Sequence, residues 1–464
     1  MYLPFKRILP VLLLLGIATA SITACFRTPD AADSSDTNSI QSYKDIPGIT
    51  EDEIKAIAAL RAERQSLTYG CEMTTESFVL PDGTRSGFMP LFRGLLTELF
   101  GIPFVHQCHD RYDLKNEFDR GAIDFINETR AANGQGHYYA TDPIAWRSLK
   151  IFTVSDATGI NHENDIDGLT IGFYKNTAII KSIQDFYPSL NFYIVEVETP
   201  EEVIRLLQWG YIDAFVSEAV HSLPFDDYEF IVAKDFFPLV YVPVSMVTNR
   251  PELAPIISVM DKYLAAGGID KLQRLYDAGS FEYARYRLYK SFTPAEAAYL
   301  NNLIASGRRI RVAFDPDSYP VSFFNEKYDE FQGIAPDILA VIAALTGLEF
   351  EVVTDKNSTW HENLEKLRRG DVSLISHLMR HENMENDFLW SHTPYASTQR
   401  VFLSRMDYPD LKFYQIEQVN VGIVRGTIAE QVYNKWFPNS SNLRLYDLSR
   451  EALDALESGE IDLL

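Results

Sequence analysis

The sequence predicts an α/β protein that carries one domain twice in tandem, and three observations support this. First, the stretch GFMPLFRGLLTELFGIPF from Gly87 to Phe104 returns without a gap as GIAPDILAVIAALTGLEF from Gly333 to Phe350. Gly87/Gly333, Pro90/Pro336, Gly101/Gly347 and Phe104/Phe350 coincide, and apolar residues at 92, 95, 96 and 99 answer those at 338, 341, 342 and 345. That is the stripe of a helix with one buried face, closed by a glycine and followed by a strand. Second, Thr50-Glu51-Asp52-Glu53 and Thr293-Pro294-Ala295-Glu296 have capping-box spacing, and each stands 17 residues before an apolar strand, Leu67–Cys71 or Ile310–Phe314. Third, the order strand, loop, helix, strand in both copies is that of a parallel sheet.

The chain begins with Lys6 and Arg7, an apolar run from Ile8 to Ile22, and then Ile22-Thr23-Ala24-Cys25. This is the layout of a secretory signal. The last four residues resemble a bacterial lipobox, which makes residues 1–25 a leader and Cys25 a lipidation site. The run is short for a membrane span, and an uncleaved anchor is the alternative. Residues 26–49, rich in Ser, Asp and Thr, read as a tether, and 50–65 as a lead-in helix.

Length and a 46% hydrophobic content allow two or three domains with real cores. The net charge of −23 offers no basic face, so nucleic-acid binding is disfavoured. Three cysteines do not make a disulfide scaffold or a zinc ribbon.

The echoes continue. Each copy has a charged helix running into Arg-Gly (Arg120-Gly121, Arg369-Gly370), a short strand and then an arginine; Arg130 precedes Thr141, and Arg380 precedes Ser391, by 11 residues. GFYKNT from Gly172 pairs with GIVRGT from Gly422, placing Thr177 and Thr427 at matching helix starts. TPEEVIRLLQWGYIDAFV then pairs with LSREALDALESGEIDLL, so Asp213 matches Asp462. Copy one continues through a strand near Val242–Val247 and further helices. The expected domains are 66–279 (lobe 1 about 66–155 and 242–279, lobe 2 about 168–240) and 310–464, joined by a linker helix at 280–309. Copy two is expected to be incomplete at its C-terminus.

This pattern resembles the bacterial extracellular solute-binding proteins of family 3, with the type 2 periplasmic-binding-protein (Venus flytrap) fold. The tandem order and runs such as TELFGIPF, AAGGIDKLQRLY, YPVSFFN and FLWSHTPY look most like the input region of membrane sensor kinases and related receptors. The resemblance implies two α/β lobes joined by crossing strands and a small polar solute, amino-acid-like or amine, held as the lobes close. It implies an extracytoplasmic location, with the membrane reached through a lipid or N-terminal anchor. The partner is a downstream kinase or cyclase domain or, in the alternative of a transporter lipoprotein, a permease.

Carried over residue by residue, the family's carboxylate-binding arginine falls on Gln135 in copy one and Met384 in copy two, leaving Arg130 and Arg380 as substitutes. Thr177 and Thr427 match the lobe-two threonine beside exposed backbone N–H groups. Thr141 begins the segment equivalent to the family's Ser/Thr-x-Pro motif. Glu218 matches the acid that receives a ligand ammonium, and Asp213 reads as structural. Tyr69, Phe78 and Tyr319 are candidate stacking aromatics, with core packing the alternative. Cys71 and Cys108 end neighbouring strands and form a candidate disulfide pair, with two buried free thiols as the alternative.

No metal site is expected. His106-Gln107-Cys108-His109-Asp110 follows a strand in which alternate residues point apart, and His377 with His381 belongs to no zincin motif. No cofactor is expected either. With no nucleophile elbow or P-loop, a binding module is the favoured class over an enzyme.

Overall fold

The computed structural model describes residues 40–129, 138–154, 159–380, 384–392, 394–396 and 401–464. Cys25, Arg130, Gln135 and His381 lie outside them. The chain divides into two compact bodies, one ending at Tyr286 and the other running from Arg287 to Leu464. Among the described residues, no helix is long and apolar enough to cross a membrane.

Both predicted capping boxes form. Thr50 caps α1 (Glu51–Glu63), accepting from the Glu53 N–H at 3.2 Å while the Glu53 carboxylate takes the Thr50 N–H at 2.8 Å. The end of the stretch read as a tether is instead packed. Tyr43 and Ile46 are buried, with Ile40 and Ile49 packed beside the same core, and the Tyr43 ring stacks on Phe100 at 6.3 Å, because these apolar side chains cluster at the end of a polar run.

From there β1 (Leu67–Glu72), β2 (Phe78–Val79), β3 (Arg85–Ser86), α2 (Phe88–Phe100), β4 (Phe104–His109), α3 (Arg111–Asp119), β5 (Phe125–Thr129) and β6 (Tyr139–Ala140) build a first lobe. β7 (Ala145–Val154) leaves it. β8 (Thr170–Tyr174), α4 (Ile179–Phe186), β9 (Tyr193–Val197), α5 (Pro200–Gln208) and β10 (Ala214–Glu218) make a second, and β11 (Ile231–Thr248) returns. Apart from the separate β2–β3 hairpin, the strands form one sheet in the order β4-β1-β5-β11-β7-β10-β8-β9, with β6 also on β11. β7 and β11 are antiparallel partners shared by both lobes, with a register break between Phe236 and Tyr241. After β11, α6 (Ala254–Tyr263) and α7 (Ile269–Ser291) cover the first lobe: Ile256, Val259, Met260 and Leu272 join Phe88, Phe92, Leu96 and Phe100 in one core.

α7 is a single helix to Ser291 where the sequence suggested a break before a 280–309 linker, and α8 (Pro294–Ala305) follows behind the Thr293 cap. Copy two then repeats the first lobe with β12 (Ile310–Ala313), β13 (Asp317–Ser318), β14 (Ser322–Asn325), β15 (Glu330–Gln332), α9 (Ile334–Thr346), β16 (Phe350–Val352), α10 (Trp360–Arg369) and β17 (Leu374–Ile375). Its second half holds β18 (Val421–Val424), α11 (Ile428–Trp436), β19 (Leu443–Tyr446) and α12 (Ser449–Ser458). The register is conserved between the copies: Leu67 faces Phe104 as Ile310 faces Phe350. Asp213 and Asp462 share a structural task, accepting the N–H of Thr170 at 2.8 Å and of Asn420 at 2.9 Å.

The repeated first glycine has one physical cause in both copies. Gly87 (φ +109°) and Gly333 (φ +125°) precede α2 and α9, and a Cβ there would lie 2.4 Å from the Glu76 carbonyl oxygen or 2.7 Å from that of Pro320. Both demands, left-handed backbone and close approach, exclude a side chain. Gly87→Ala is therefore expected to destabilise the first body by at least about 1–3 kcal/mol. Thermal unfolding should show a midpoint roughly 2–10 °C lower.

Candidate functional site

In copy one a buried ion triad bridges the two lobes. Glu76 comes from the loop after β1, Arg147 from the shared strand β7 and Glu218 from the end of β10. Arg147 donates from Nε to Glu76 Oε1 at 2.9 Å, from Nη2 to Glu76 Oε2 at 2.6 Å and from Nη1 to Glu218 Oε2 at 2.6 Å. The three side chains are 12%, 5% and 5% exposed, so this is a desolvated contact. Burial alone would push the Glu218 carboxyl up, but the Arg147 guanidinium, with His221 beside it, outweighs that and holds it at about 2. Burial would likewise lower the Arg147 value, and the two carboxylates raise it instead.

A second set of bonds crosses the same cleft. Arg111 lies 3.8 Å from Glu72 and 5.2 Å over the Tyr174 ring of the second lobe, and His221 Nε2 lies 3.6 Å from Glu72. The Thr75 N–H donates to the Val220 carbonyl at 3.0 Å. The lobes of copy one are thus tied together by the chain's own groups.

In copy two a cavity of about 130 Å³ opens between its two halves. One side is formed by Asp315, Ser318, Trp360, His377 and Met384, the other by Val424, Gly426, Thr427 and Ser449. Asp315 is buried; its Oδ2 accepts from the Ser318 hydroxyl at 2.8 Å and lies 3.9 Å from His377 Nε2. Burial lowers the His377 value despite Asp315, so the imidazole is neutral at pH 7. Trp360 stacks on it at 4.8 Å. No lysine or arginine is among the described lining residues.

Shared crossing strands, paired lobes and a repeated register are the architecture of the type 2 periplasmic-binding fold, and residues 310–464 match the family model for bacterial extracellular solute-binding proteins, family 3. The matched span is the second copy. No curated protein sequence matches the chain. The solved structure titled "Structure of VC protein" is 16% identical with a TM-score of 0.52, over 86% of this chain and 85% of that one, and it shares the fold over that span. The Bordetella pertussis BvgS periplasmic domain is 19% identical with a TM-score of 0.37 over 89% of this chain and 80% of its own. The amino-acid transporter binding protein AbpA of Streptococcus pneumoniae, bound to L-arginine, is 15% identical with a TM-score of 0.38, over 48% of this chain and 98% of its own.

Within this solute-binding fold the sequence-derived site residues separate. Glu218 reaches the cleft, yet the carboxylate assigned to a ligand ammonium is held by Arg147, which sequence reasoning missed. A sign was available: copy one has an arginine four residues after Pro143, and copy two has Thr398 four residues after Pro394. Thr141 is fully buried, and its Oγ1 accepts the Met246 N–H at 3.1 Å, so it secures β11 rather than facing solute. Thr177 is half-buried and accepts the Ile179 N–H at 3.3 Å. Thr427 lines the copy-two cavity and donates to the Val424 carbonyl at 2.7 Å.

Tyr319 is 78% exposed and packs on Phe323, while Tyr69 and Phe78 are core residues. Arg380 is an exposed partner of Glu385 and does not line the cavity, whereas Met384 does. Cys71 and Cys108 stand in register on β1 and β4 with Sγ atoms 3.1 Å apart, both as free thiols.

Removing Arg147 leaves two buried carboxylates unpaired. Arg147→Met should cost about 3–5 kcal/mol. Adding Glu76→Gln and Glu218→Gln to it should recover most of the loss. Because the folded Glu218 value lies below its unfolded one, its contribution is complete above the usual carboxylate range and fades as pH falls towards 2. Acid titration of thermal stability should show this loss in the wild type and a shallower one in the triple variant.

Proposed function

We propose that the chain is an extracytoplasmic solute-binding receptor in which the cleft of residues 310–464 takes a small amine-bearing solute while copy one acts as a closed companion domain. The observation that carries this is the contrast between the clefts. Copy one supplies its own guanidinium to Glu218; copy two keeps a cavity with the buried Asp315 carboxylate on one wall and no cationic side chain among its described lining. Met384 at the family's arginine position removes the usual partner of a ligand carboxylate, so an amine is favoured over an amino acid. An ammonium against Asp315 satisfies a carboxylate that already holds Ser318, and the Trp360 face suits an organic cation. Thr427 and the start of α11 close the opposite side.

Two tandem copies connected through α7 and α8 favour the input region of a longer transmembrane signalling receptor. The short apolar leader ending in Cys25 favours a lipid-anchored transporter component, with a permease as partner. Labelling with a lipid precursor separates the two, since the transporter reading requires acylated Cys25.

The ligand reading is tested by thermal shift of the full chain against a panel of amines and amino acids. An amine at a hundred times its dissociation constant stabilises by about 2.7 kcal/mol, a rise of roughly 5–10 °C. Asp315→Asn should abolish that rise, and Glu218→Gln should keep it. The reverse pattern would move the site to copy one.

A further inference from the structure

On β4, His106 and Cys108 are two residues apart and share a face of the sheet, and Cys71 of β1 stands directly opposite Cys108 in the parallel register. His106 Nε2 lies 3.2 Å from Cys71 Sγ and 3.0 Å from Cys108 Sγ, and the two sulfurs are 3.1 Å apart. We propose that Cys71, His106 and Cys108 form a binding site for one soft d10 cation, Zn²⁺ or Cu⁺, held by two thiolate sulfurs and the His106 Nε2.

The donor set is the first argument. Two sulfurs and an imidazole, with no carboxylate among them, select thiophilic ions and exclude Ca²⁺ and Mg²⁺. The three ligand atoms already converge within 4.8 Å of one another. Around a tetrahedral ion at normal Zn–S and Zn–N lengths such atoms stand roughly 3.5–3.8 Å apart, so an opening of about half an ångström seats it. A disulfide of about 2.05 Å would need the sulfurs to close by about an ångström instead.

The surroundings are the second. The buried Ser77 Oγ lies 3.3 Å from Cys71 Sγ, 3.2 Å from His106 Nε2 and 3.8 Å from Cys108 Sγ, at the fourth corner of the trio. Arg85 Nη1 donates to Cys108 Sγ at 2.8 Å, an outer contact that favours the thiolate and offsets its charge. Each cysteine that ligates as thiolate has released its proton to solvent.

The third argument comes from the repeat itself. With the strands of the two copies in equivalent register, Cys71, His106 and Cys108 correspond to Phe314, Val352 and Thr354. Copy two closes this spot with a buried phenylalanine and a threonine hydroxyl bonded to backbone, Thr354 Oγ1 to the Phe314 carbonyl at 3.1 Å. The domain therefore does not need these ligand types for folding, yet copy one has acquired all three at one point.

The test uses the full chain, reduced with a phosphine and stripped with a chelator, and titrated with Zn²⁺ or, without oxygen, with Cu⁺. Native mass spectrometry should show one added ion per chain, with the tighter arm naming the metal. At a hundredfold excess over the dissociation constant the melting point should rise by about 5–10 °C. Co²⁺ should give a thiolate charge-transfer band that Cys108→Ser removes. His106→Gln, which leaves the buried cysteine untouched, should weaken binding by at least about tenfold, the lower end of what even an outer-shell partner is worth. Failure of the reduced wild type to take up one ion, or equal uptake by Cys108→Ser, would overturn the site. A Cys71–Cys108 disulfide in chain purified in air, with no uptake after reduction, would overturn it in favour of a simple oxidised pair.

Discussion

Arg147 joins the loop after β1 to the end of β10 from its own place on the strand that both lobes share, and the closed geometry of copy one follows from that contact. Three ionised groups out of water are costly, and a well-packed apolar cluster would often serve stability as well or better. What the triad supplies is direction. A fork of N–H donors fixes the angle between two carboxylates, one in each lobe, in a way that apolar packing cannot. The Arg111, Glu72 and His221 group repeats the device beside it, so closure in copy one is specified by polar geometry laid over apolar cores that each lobe already has.

Much of this architecture was legible in the sequence because the chain is duplicated. Matched glycines, capping boxes and stripes gave the helix starts to within a residue, and the repeat of Asp213 in Asp462 marked a strand-edge bond that is present in both copies. The site was less legible. Arg147 lies in the polar first half of β7, where nothing local announces that its guanidinium will meet residues 71 positions away on either side. His106 and Cys108 were discounted because neighbours in a strand diverge, an argument that holds for Gln107 and fails for residues two apart. Counting alone singled out Met384, and the structure adds that this methionine lines the copy-two cavity.

The two copies thus share a scaffold and differ at the points where chemistry is decided. Copy one has a guanidinium in its cleft and soft ligands at the ends of two strands. Copy two has a carboxylate, an imidazole and an indole around open space, with ordinary core residues where the soft ligands would be. Duplication permits this division, because the backbone interactions that hold each lobe do not depend on the residues that have diverged.

The route of β11 has a consequence for how the molecule is made. The first lobe is assembled from two stretches separated by the whole second lobe, and its sheet is finished only when residues 244–247 pair with β5 and α6 and α7 cover Phe88 and Phe92. A chain emerging from its amino end therefore exposes an unfinished strand edge and an uncovered aromatic core until nearly all of copy one is available. Such late, long-range closure slows folding and leaves a sticky intermediate, conditions under which a chain must be kept from its neighbours until its own residues arrive.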